Sequence, residues 1–156
     1  MITANKFFVS LLLAAPCVGG NALAAESAAA VVVELTQVPC QFLESEQGNN
    51  HGYRSSNIKG CEAINAQSGA SRVEQAKVLQ LKPGKTIFRI TNRDVPYELG
   101  FWLRGEGIAG RVTLPSVSGG GLITGKTQDY VIDLKPGEYV YSCPLNPTPD
   151  YKLVVN

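Results

Sequence analysis

Cys143 is the residue of this chain best suited to chemistry. It ends the stretch "GEYVYSC" and is followed by the proline-rich stretch "PLNPTPDY". A thiol in that place can hold a metal, join a disulfide or fill the core as a small apolar side chain. Cys40 and Cys61 lie upstream, and Cys17 lies in a predicted leader. Three cysteines remain once the leader with Cys17 is removed. An odd number in an exported chain leaves a spare thiol, an intermolecular bond or a metal ligand.

The pairing of these cysteines does not follow from their spacing alone, and we favour a disulfide between Cys40 and Cys61. The segment between them, "QFLESEQGNNHGYRSSNIKG", is polar and has no hydrophobic period. Closing a loop of this size contributes about 3 kcal/mol to stability, so a loop without a core of its own gains most from it. We therefore predict a disulfide-closed polar insertion around residues 40–61, which leaves Cys143 free.

The first residues are typical of a secretory signal peptide. Lys6 precedes the apolar run "FFVSLLLAAPCVGG", and "ALA" at 22–24 offers small residues for cleavage. We predict a cleaved leader over 1–24 and a single domain over 25–156, periplasmic or secreted, with no membrane span after cleavage. Lipid attachment at Cys17 is disfavoured because Pro16 stands directly before it.

Composition narrows the class of partner. The formal net charge is +1 and only 17% of residues are charged. The sequence holds no Lys/Arg cluster of the kind that binds nucleic acid or an anionic membrane. With 16 glycines and 9 prolines, the chain is typical of a loop-rich β protein.

Short β-branched and aromatic runs, separated by turn residues, predict about eight strands of an all-β sandwich or barrel. The runs are "AVVVELTQV", "KVLQL", "KTIFRIT", "YELGFWL", "RVTLP", "DYVIDL", "EYVYSC" and "YKLVV". We expect "INAQSGASRVEQA" to hold at most one short helical turn, because it is too polar for more. "SVSGGGLITG" is expected to be a flexible loop.

An internal repeat places Cys143 more closely. "VLQLKPGKTIFRI" and "VIDLKPGEYVYSC" share the order strand, Leu-Lys-Pro-Gly, strand. Proline presets a turn and glycine permits a positive φ, so each copy predicts a tight reversal between neighbouring strands of a Greek-key sandwich. The two-residue period puts Tyr139, Tyr141 and Cys143 on one face, which we expect to be buried.

The arrangement "LKPGEYVYSC", a short proline-rich loop and "YKLVV" resembles the carboxy-terminal hairpin of the cupredoxins, the blue-copper sandwich proteins. "FRITNRDVPYELGFWL" resembles the strand and loop that present the first copper ligand of that family. The cysteine followed by Leu145, Asn146 and Pro147, together with a glutamate at Glu98, resembles the cupredoxin-like domain of EfeO-type periplasmic iron-uptake proteins. The resemblance covers roughly residues 75–156 and implies a Greek-key cupredoxin-like β-sandwich.

The resemblance also implies a metal site at Cys143 and Glu98, and the usual copper ligands are missing from it. Tyr97 stands where the family carries its first histidine, and "PLNPTPDY" contains neither a second histidine nor an axial methionine. A blue-copper centre needs two imidazoles and a thiolate, and the chain has one histidine, His51. A carboxylate and a thiolate can still bind Cu(II) or Zn(II), with Tyr97 and His51 as further donors.

Simpler interpretations stand beside each of these. Cys143 can be a core residue, and Glu98 can pair with Arg93 or Arg104. His51 is more often a solvated loop residue than a ligand. The aromatic residues of the strands are economically explained as core packing, and these residues are Tyr97, Trp102, Tyr139 and Tyr141.

Two functions remain as hypotheses, and neither is an enzyme, because a cysteine nucleophile needs a nearby base. The first is an exported protein that binds a transition metal, with copper as the expected ion, at Cys143 and Glu98, and serves periplasmic metal handling such as iron uptake or electron transfer. The second is a metal-free cupredoxin-like module that binds a periplasmic protein partner through "RGEGIAGRVTLP" and "PLNPTPDY".

Overall fold

The computed structural model describes residues 29–156, so the predicted leader and Cys17 lie outside the described residues. Nine strands, two helices and one short 3-10 helix follow one another along this part of the chain. They are β1 (Val31–Val38), β2 (Gln41–Phe42), the 3-10 helix (Glu44–Glu46), α1 (Ile58–Gln75), β3 (Leu79–Leu81), β4 (Gly84–Asn92), β5 (Leu99–Gly105), α2 (Gly107–Thr113), β6 (Val117–Leu122), β7 (Thr127–Leu134), β8 (Gly137–Ser142) and β9 (Tyr151–Val155).

The strands form two facing sheets. The four-stranded sheet has the order β2-β1-β4-β7, and the five-stranded sheet has the order β3-β9-β8-β5-β6. β1 runs parallel to β4 and β3 runs parallel to β9, while the other pairs are antiparallel. The all-β sandwich predicted from the strand runs is therefore confirmed.

The core lies between the sheets and follows the predicted two-residue period. Tyr139 and Tyr141 are fully buried and Cys143 is 1% exposed. Trp102 differs from the prediction, because it lies on the outer face of the five-stranded sheet with the Arg104 guanidinium 3.9 Å from its ring centroid. The buried face of the strands is thus read correctly from the sequence, apart from this one aromatic side chain.

The two Leu-Lys-Pro-Gly turns connect the sheets. β3 and β4 belong to different sheets, and so do β7 and β8. The predicted reversal between neighbouring strands is therefore wrong, because each turn carries the chain across the sandwich. Gly84 and Gly137 have φ values of 130° and 153°, which explains the glycine in both copies. We call the end of the sandwich that holds these turns the turn end, and the opposite end the Cys143 end.

α1 is a helix of 18 residues where the sequence predicted one short turn. The reason is that α1 has almost no apolar face, and only Cys61, Gly69 and Arg72 are buried. Asn57 caps its first turn by accepting a hydrogen bond from the Gly60 N–H at 3.2 Å. A disulfide at Cys61 and an ion pair at Arg72 then fasten it to the sandwich, so tertiary contacts replace the missing periodicity.

Two more segments differ from their predictions. "SVSGGGLITG" contains the strand β6, which pairs with β5 through Trp102 and Ser118. "RVTLP" lies largely in α2 rather than in a strand. α2 can lie directly on the end of β5 because glycines meet there, and a Cβ on Gly110 would be 2.9 Å from the Gly105 carbonyl carbon. Backbone contacts of this kind leave no pattern of apolar side chains in the sequence.

The segment 40–61 is closed by a disulfide between Cys40 and Cys61. The segment is not a purely polar insertion as the sequence predicted, because Phe42 is fully buried. The Phe42 ring makes edge contacts with Phe101, Tyr141 and Tyr151 at centroid distances of 5.8–6.2 Å. One aromatic residue of the segment therefore belongs to the core of the sandwich.

Candidate functional site

Cys143 lies directly after β8, in a closed environment at the Cys143 end. Its Sγ atom accepts hydrogen bonds from the N–H groups of Gly100 at 3.4 Å and Asn146 at 3.2 Å. Its own N–H donates to Thr148 Oγ1 at 3.0 Å. Burial raises the pKa of the Cys143 thiol, although the N–H groups of Gly100 and Asn146 act in the opposite direction. The thiol is therefore buried and hydrogen-bonded.

The side chain of Asn146 connects Cys143 to the rest of this end. It is fully buried, and its Nδ2 donates to Val38 O at 3.0 Å. Its Oδ1 accepts the Cys40 N–H at 2.8 Å and lies 3.2 Å from Cys61 Sγ. One amide thus joins the loop after Cys143 to the end of β1 and to the disulfide.

Gln37 supports the same arrangement from β1. Its Nε2 donates to Gly100 O at 2.8 Å, and its Oε1 accepts from Asn146 Nδ2 at 3.4 Å. Gln37 and Asn146 are both fully buried, and their polar groups satisfy one another and the backbone. The sequence indicated Asn146 only through the resemblance, and Gln37 not at all, since its partners are more than 60 residues away.

Tyr97 and Glu98 both lie near Cys143, in different ways. The Tyr97 hydroxyl donates to Asn146 Oδ1 at 3.4 Å, and burial raises its pKa. Glu98 is exposed, and its Oε1 accepts the Gly121 N–H at 2.8 Å. The Glu98 carboxylate therefore fastens β6 to the start of β5. Among the described residues neither Arg93 nor Arg104 pairs with it, so that predicted ion pair is wrong.

His51 belongs to a different group of side chains, which we call the Glu46 cluster: Glu46, His51, Arg72 and Tyr151. His51 Nε2 lies 2.6 Å from Glu46 Oε2, and Arg72 Nη2 lies 2.6 Å from Glu46 Oε1. The Tyr151 hydroxyl also donates to Glu46. Both polar contacts of His51 are within its own segment, to Glu46 and to Gln41.

The charge on Glu46 is kept by these contacts. Glu46 is 7% exposed and Arg72 is 6% exposed. Burial by itself would raise the pKa of the Glu46 carboxyl, but the hydrogen bonds from Arg72, Tyr151 and His51 bring it below its ordinary value. The buried ion pair therefore fastens α1 to the 40–61 segment, and the Tyr151 hydroxyl joins both to β9.

The donors at the Cys143 end do not fit a blue-copper centre. Such a centre needs two imidazoles beside the thiolate, and the single histidine of the chain is bound to Glu46. Within residues 29–156 no three His, Cys, Asp or Glu side chains are grouped closely enough to hold a metal. The structure brings Cys143 and Tyr97 together through Asn146, and leaves the Glu98 carboxylate hydrogen-bonded to Gly121 of β6.

The two segments predicted to form one binding surface lie apart. "PLNPTPDY" directly follows Cys143 and contains Asn146, whose N–H bonds to Cys143 Sγ. α2, which contains most of the other segment, lies at the turn end, where the Glu106 N–H donates to Glu138 O at 2.9 Å. A surface that combines both segments is therefore not formed.

Two clefts border the Cys143 end. One, of about 650 Å³, includes Tyr53, Arg54 and Pro96 in its lining, and the other, of about 470 Å³, includes Ile58 and Tyr97. Ser56 lines both. Among the described residues no helix is long and apolar enough to cross a membrane.

Comparison with known proteins identifies structures of similar fold. No protein-family model matches the chain, and no curated protein matches it. Among solved structures, auracyanin B is similar over 81% of this chain and 89% of its own, with 13% identity and a TM-score of 0.50. Auracyanin A, a "blue" copper protein from the green thermophilic photosynthetic bacterium Chloroflexus aurantiacus, is 14% identical over 82% of this chain and 100% of its own, with a TM-score of 0.47. At such identities the first likeness speaks for the fold alone, and together with the two sheets it shows that the chain is a cupredoxin-like β-sandwich.

Proposed function

We propose that the chain is an exported, non-enzymatic binding module that uses the cupredoxin-like sandwich as a rigid support and does not depend on a resident metal. The observation that carries this proposal is the state of Cys143. Its thiol is 1% exposed and accepts two backbone N–H groups. Cysteines buried in this way are usually inert, so Cys143 serves as a core residue that shapes the loop after it.

The surface offered to a protein partner is the pair of clefts at the Cys143 end. Ile58 is 39% exposed there, beside the half-buried Tyr97. Loops held on a rigid sandwich commonly carry recognition, and an apolar cleft with an aromatic wall suits an apolar side chain of a partner. The disulfide and Asn146 hold the walls of the cleft in place.

Thiol reactivity and site-specific crosslinking test this function. With the purified oxidised chain, a thiol reagent should label Cys143 only as fast as the protein unfolds. A photoreactive residue at position 58, introduced in cells, should give one discrete adduct that a photoreactive residue at position 123 does not give. Ile123 is a matched control because it is 52% exposed and lies outside the clefts. Fast labelling of the native thiol, or identical adducts from both positions, would contradict the proposal.

A metal-binding function is the second candidate, as an accessory to metal handling of the kind that the EfeO-type resemblance implies. The observation in its favour is position. Glu98 lies two residues before Gly100, whose N–H contacts Cys143 Sγ. A Cβ on Gly120 would also lie 3.1 Å from Glu98 and 3.9 Å from Leu145. A thiolate and a carboxylate at one end of the sandwich could bind Cu(II) or Zn(II) with water as further ligand.

A copper titration separates the two candidates. The metal-binding function predicts about one copper per chain, a sulfur-to-copper absorption band, and loss of both in Cys143→Ser with weakening in Glu98→Gln. The binding module predicts that the chain and its Cys143→Ser variant take up the same small amount of copper. These outcomes exclude one another.

A further inference from the structure

Two large apolar side chains on α2 are almost fully in solvent. Ile108 is 88% exposed and Val112 is 80% exposed. They are four residues apart, so they lie on the same side of the helix, one turn from each other. We call them the α2 pair. No other large hydrophobic side chain within residues 29–156 is more than 52% exposed, which makes this the most solvent-exposed apolar feature of the described chain.

The α2 pair is held outward by the backbone on which it stands. The close approach of Gly105 and Gly110 fixes α2 on the end of β5, and the Glu106 N–H is bonded to Glu138 O. Leu114, at the end of α2, packs next to Gly137. α2 therefore cannot turn its apolar side inward without losing these contacts. Ile108 and Val112 consequently stay exposed on the surface of the domain.

The described chain starts at the same end of the sandwich. β1 begins with Val31, which pairs with Thr86 close to the Gly84 turn, and Gly84 in turn pairs with Leu134. The residues before Ala29 contain the apolar run "FFVSLLLAA" at 7–15. Residues 16–28 connect that run to the domain, and a chain of this length reaches at most about 45 Å. Until the predicted leader is cleaved, a lipid bilayer that receives this apolar run is therefore within reach of the turn end.

Exposed basic side chains share the turn end with the α2 pair, although the sequence shows no basic cluster. Lys82, Lys135 and Arg111 are exposed and come from three separate segments of the turn end. Glu106 lies 3.5 Å from Lys152, so that carboxylate is already compensated. Lys85 and Asp133 face each other across two strands. Glu138 is the one remaining exposed carboxylate of the β7–β8 turn, so positive charge is in excess.

The size of α2 favours a lipid surface over a second copy of the chain. Seven helical residues extend about 10 Å, whereas a stable protein interface buries about 800 Å² on each partner. A bilayer needs no matching surface, because it accepts apolar side chains into its headgroup boundary and attracts nearby cations when its lipids are anionic.

We propose that the turn end is a membrane-facing surface on which Ile108 and Val112 enter the headgroup region of an anionic bilayer. Lys82, Lys135 and Arg111 lie against the lipid phosphates in this arrangement. The proposal does not depend on the metal or the partner of the Cys143 end, which points away from the bilayer. It assigns the chain a weak and reversible attachment of its own, which does not require the predicted leader.

Vesicle binding tests the proposal. The purified chain, in the form isolated from the cell, is titrated with vesicles of phosphatidylglycerol and phosphatidylethanolamine, and binding is read from co-sedimentation. Trp102 is the only tryptophan and lies 6.0 Å from the Arg111 guanidinium, so its fluorescence should change as α2 meets lipid. The variant Ile108→Ser/Val112→Ser should bind at least tenfold more weakly, while Ile123→Ser, at the Cys143 end, should bind like the parent chain.

Other outcomes overturn the proposal. If the parent chain and the double variant bind equally well, or if neither binds, the α2 pair is not a lipid contact. If binding to phosphatidylcholine is as strong as to anionic vesicles, the basic side chains are not part of the contact. If the parent chain is dimeric by light scattering, the double variant is monomeric and vesicles bind neither, the occupant is a second copy.

Discussion

Replacing Arg72 by methionine should be among the most damaging single changes to this domain. Arg72 and Glu46 form a buried ion pair at 2.6 Å, and both side chains are less than 8% exposed. Arg72 also donates to Cys40 O at 2.9 Å and to Asn65 Oδ1 at 2.7 Å. Removing one member of a buried pair costs about 3–5 kcal/mol. The loss is a large part of the 5–15 kcal/mol that usually holds such a domain.

Urea unfolding at pH 7 under oxidising conditions, followed by Trp102 fluorescence, measures this loss. Arg111→Met is the matched control, because Arg111 is exposed on α2 and forms no ion pair among the described residues. We expect it to change the free energy of unfolding by less than about 0.5 kcal/mol. The double variant Glu46→Gln/Arg72→Met should recover part of the loss, because no unpaired charge remains buried. A loss below about 1 kcal/mol in Arg72→Met would refute the role assigned to the ion pair.

The same variant should change the response to acid. The folded-state pKa of Glu46 lies below its ordinary value of 4.5, so its stabilising contribution is present above that value and is lost as pH falls through the folded-state pKa. In Arg72→Met the contact that lowers the pKa of Glu46 most is gone while burial remains, so the folded-state pKa shifts upward and the acid-dependent loss of stability carried by Glu46 should be smaller than in the parent chain. Thermal unfolding between pH 3 and 7 measures this shift, and parallel curves for the two proteins would contradict it.

Three further changes test other parts of the structure. Cys40→Ser/Cys61→Ser should lower the free energy of unfolding by about 3 kcal/mol, since the bond closes a separation of 21 residues; an unchanged urea midpoint would argue against the disulfide. Asn146→Ala leaves the Cys40 N–H and Val38 O without their partner, which costs about 2–4 kcal/mol, and should speed thiol labelling of Cys143. Gly105→Ala places a Cβ against the Gly110 carbonyl and should cost about 1–3 kcal/mol; hydrogen exchange should then rise in α2 alone, and no change there would disprove the close contact.

The sandwich could be predicted because its strands carry their own signal. The alternation of "EYVYSC" places Tyr139, Tyr141 and Cys143 in the core, as the structure has them. The repeated Leu-Lys-Pro-Gly predicted two turns with positive φ, and both glycines have it. What the repeat could not tell was which sheet each strand joins, because a turn of the same residues can end a hairpin or cross between sheets.

The two helices could not be predicted from the sequence, and the physical reason is the same for both. α1 is fixed by a covalent bond at Cys61 and an ion pair at Arg72, and α2 by the approach of Gly105 and Gly110. None of these contacts produces the apolar period from which a helix is read. Where a helix is stabilised by single long-range contacts, the local sequence pattern does not predict it.

The candidate site shows a similar division. Cys143, Tyr97 and Glu98 were named from a resemblance, and their shared end of the sandwich follows from the strands that carry them. Their real partners, Asn146 and the Gly121 N–H, depend on loops whose course no local pattern describes. His51 was considered a possible further donor, and its partner Glu46 is five residues away on the same segment.

The place of β9 in the five-stranded sheet sets the order in which this protein can be completed. β9, the last strand, lies between β3 and β8, and Tyr151 on it also bonds to Glu46. A chain still being synthesised therefore has β3 without its partner strand and Glu46 without one of its donors until β9 has been made. Pairings this distant in sequence form slowly, so a nascent chain stays open for most of its synthesis. A chain in that state can still be threaded through a narrow channel, as the export predicted from the sequence would require.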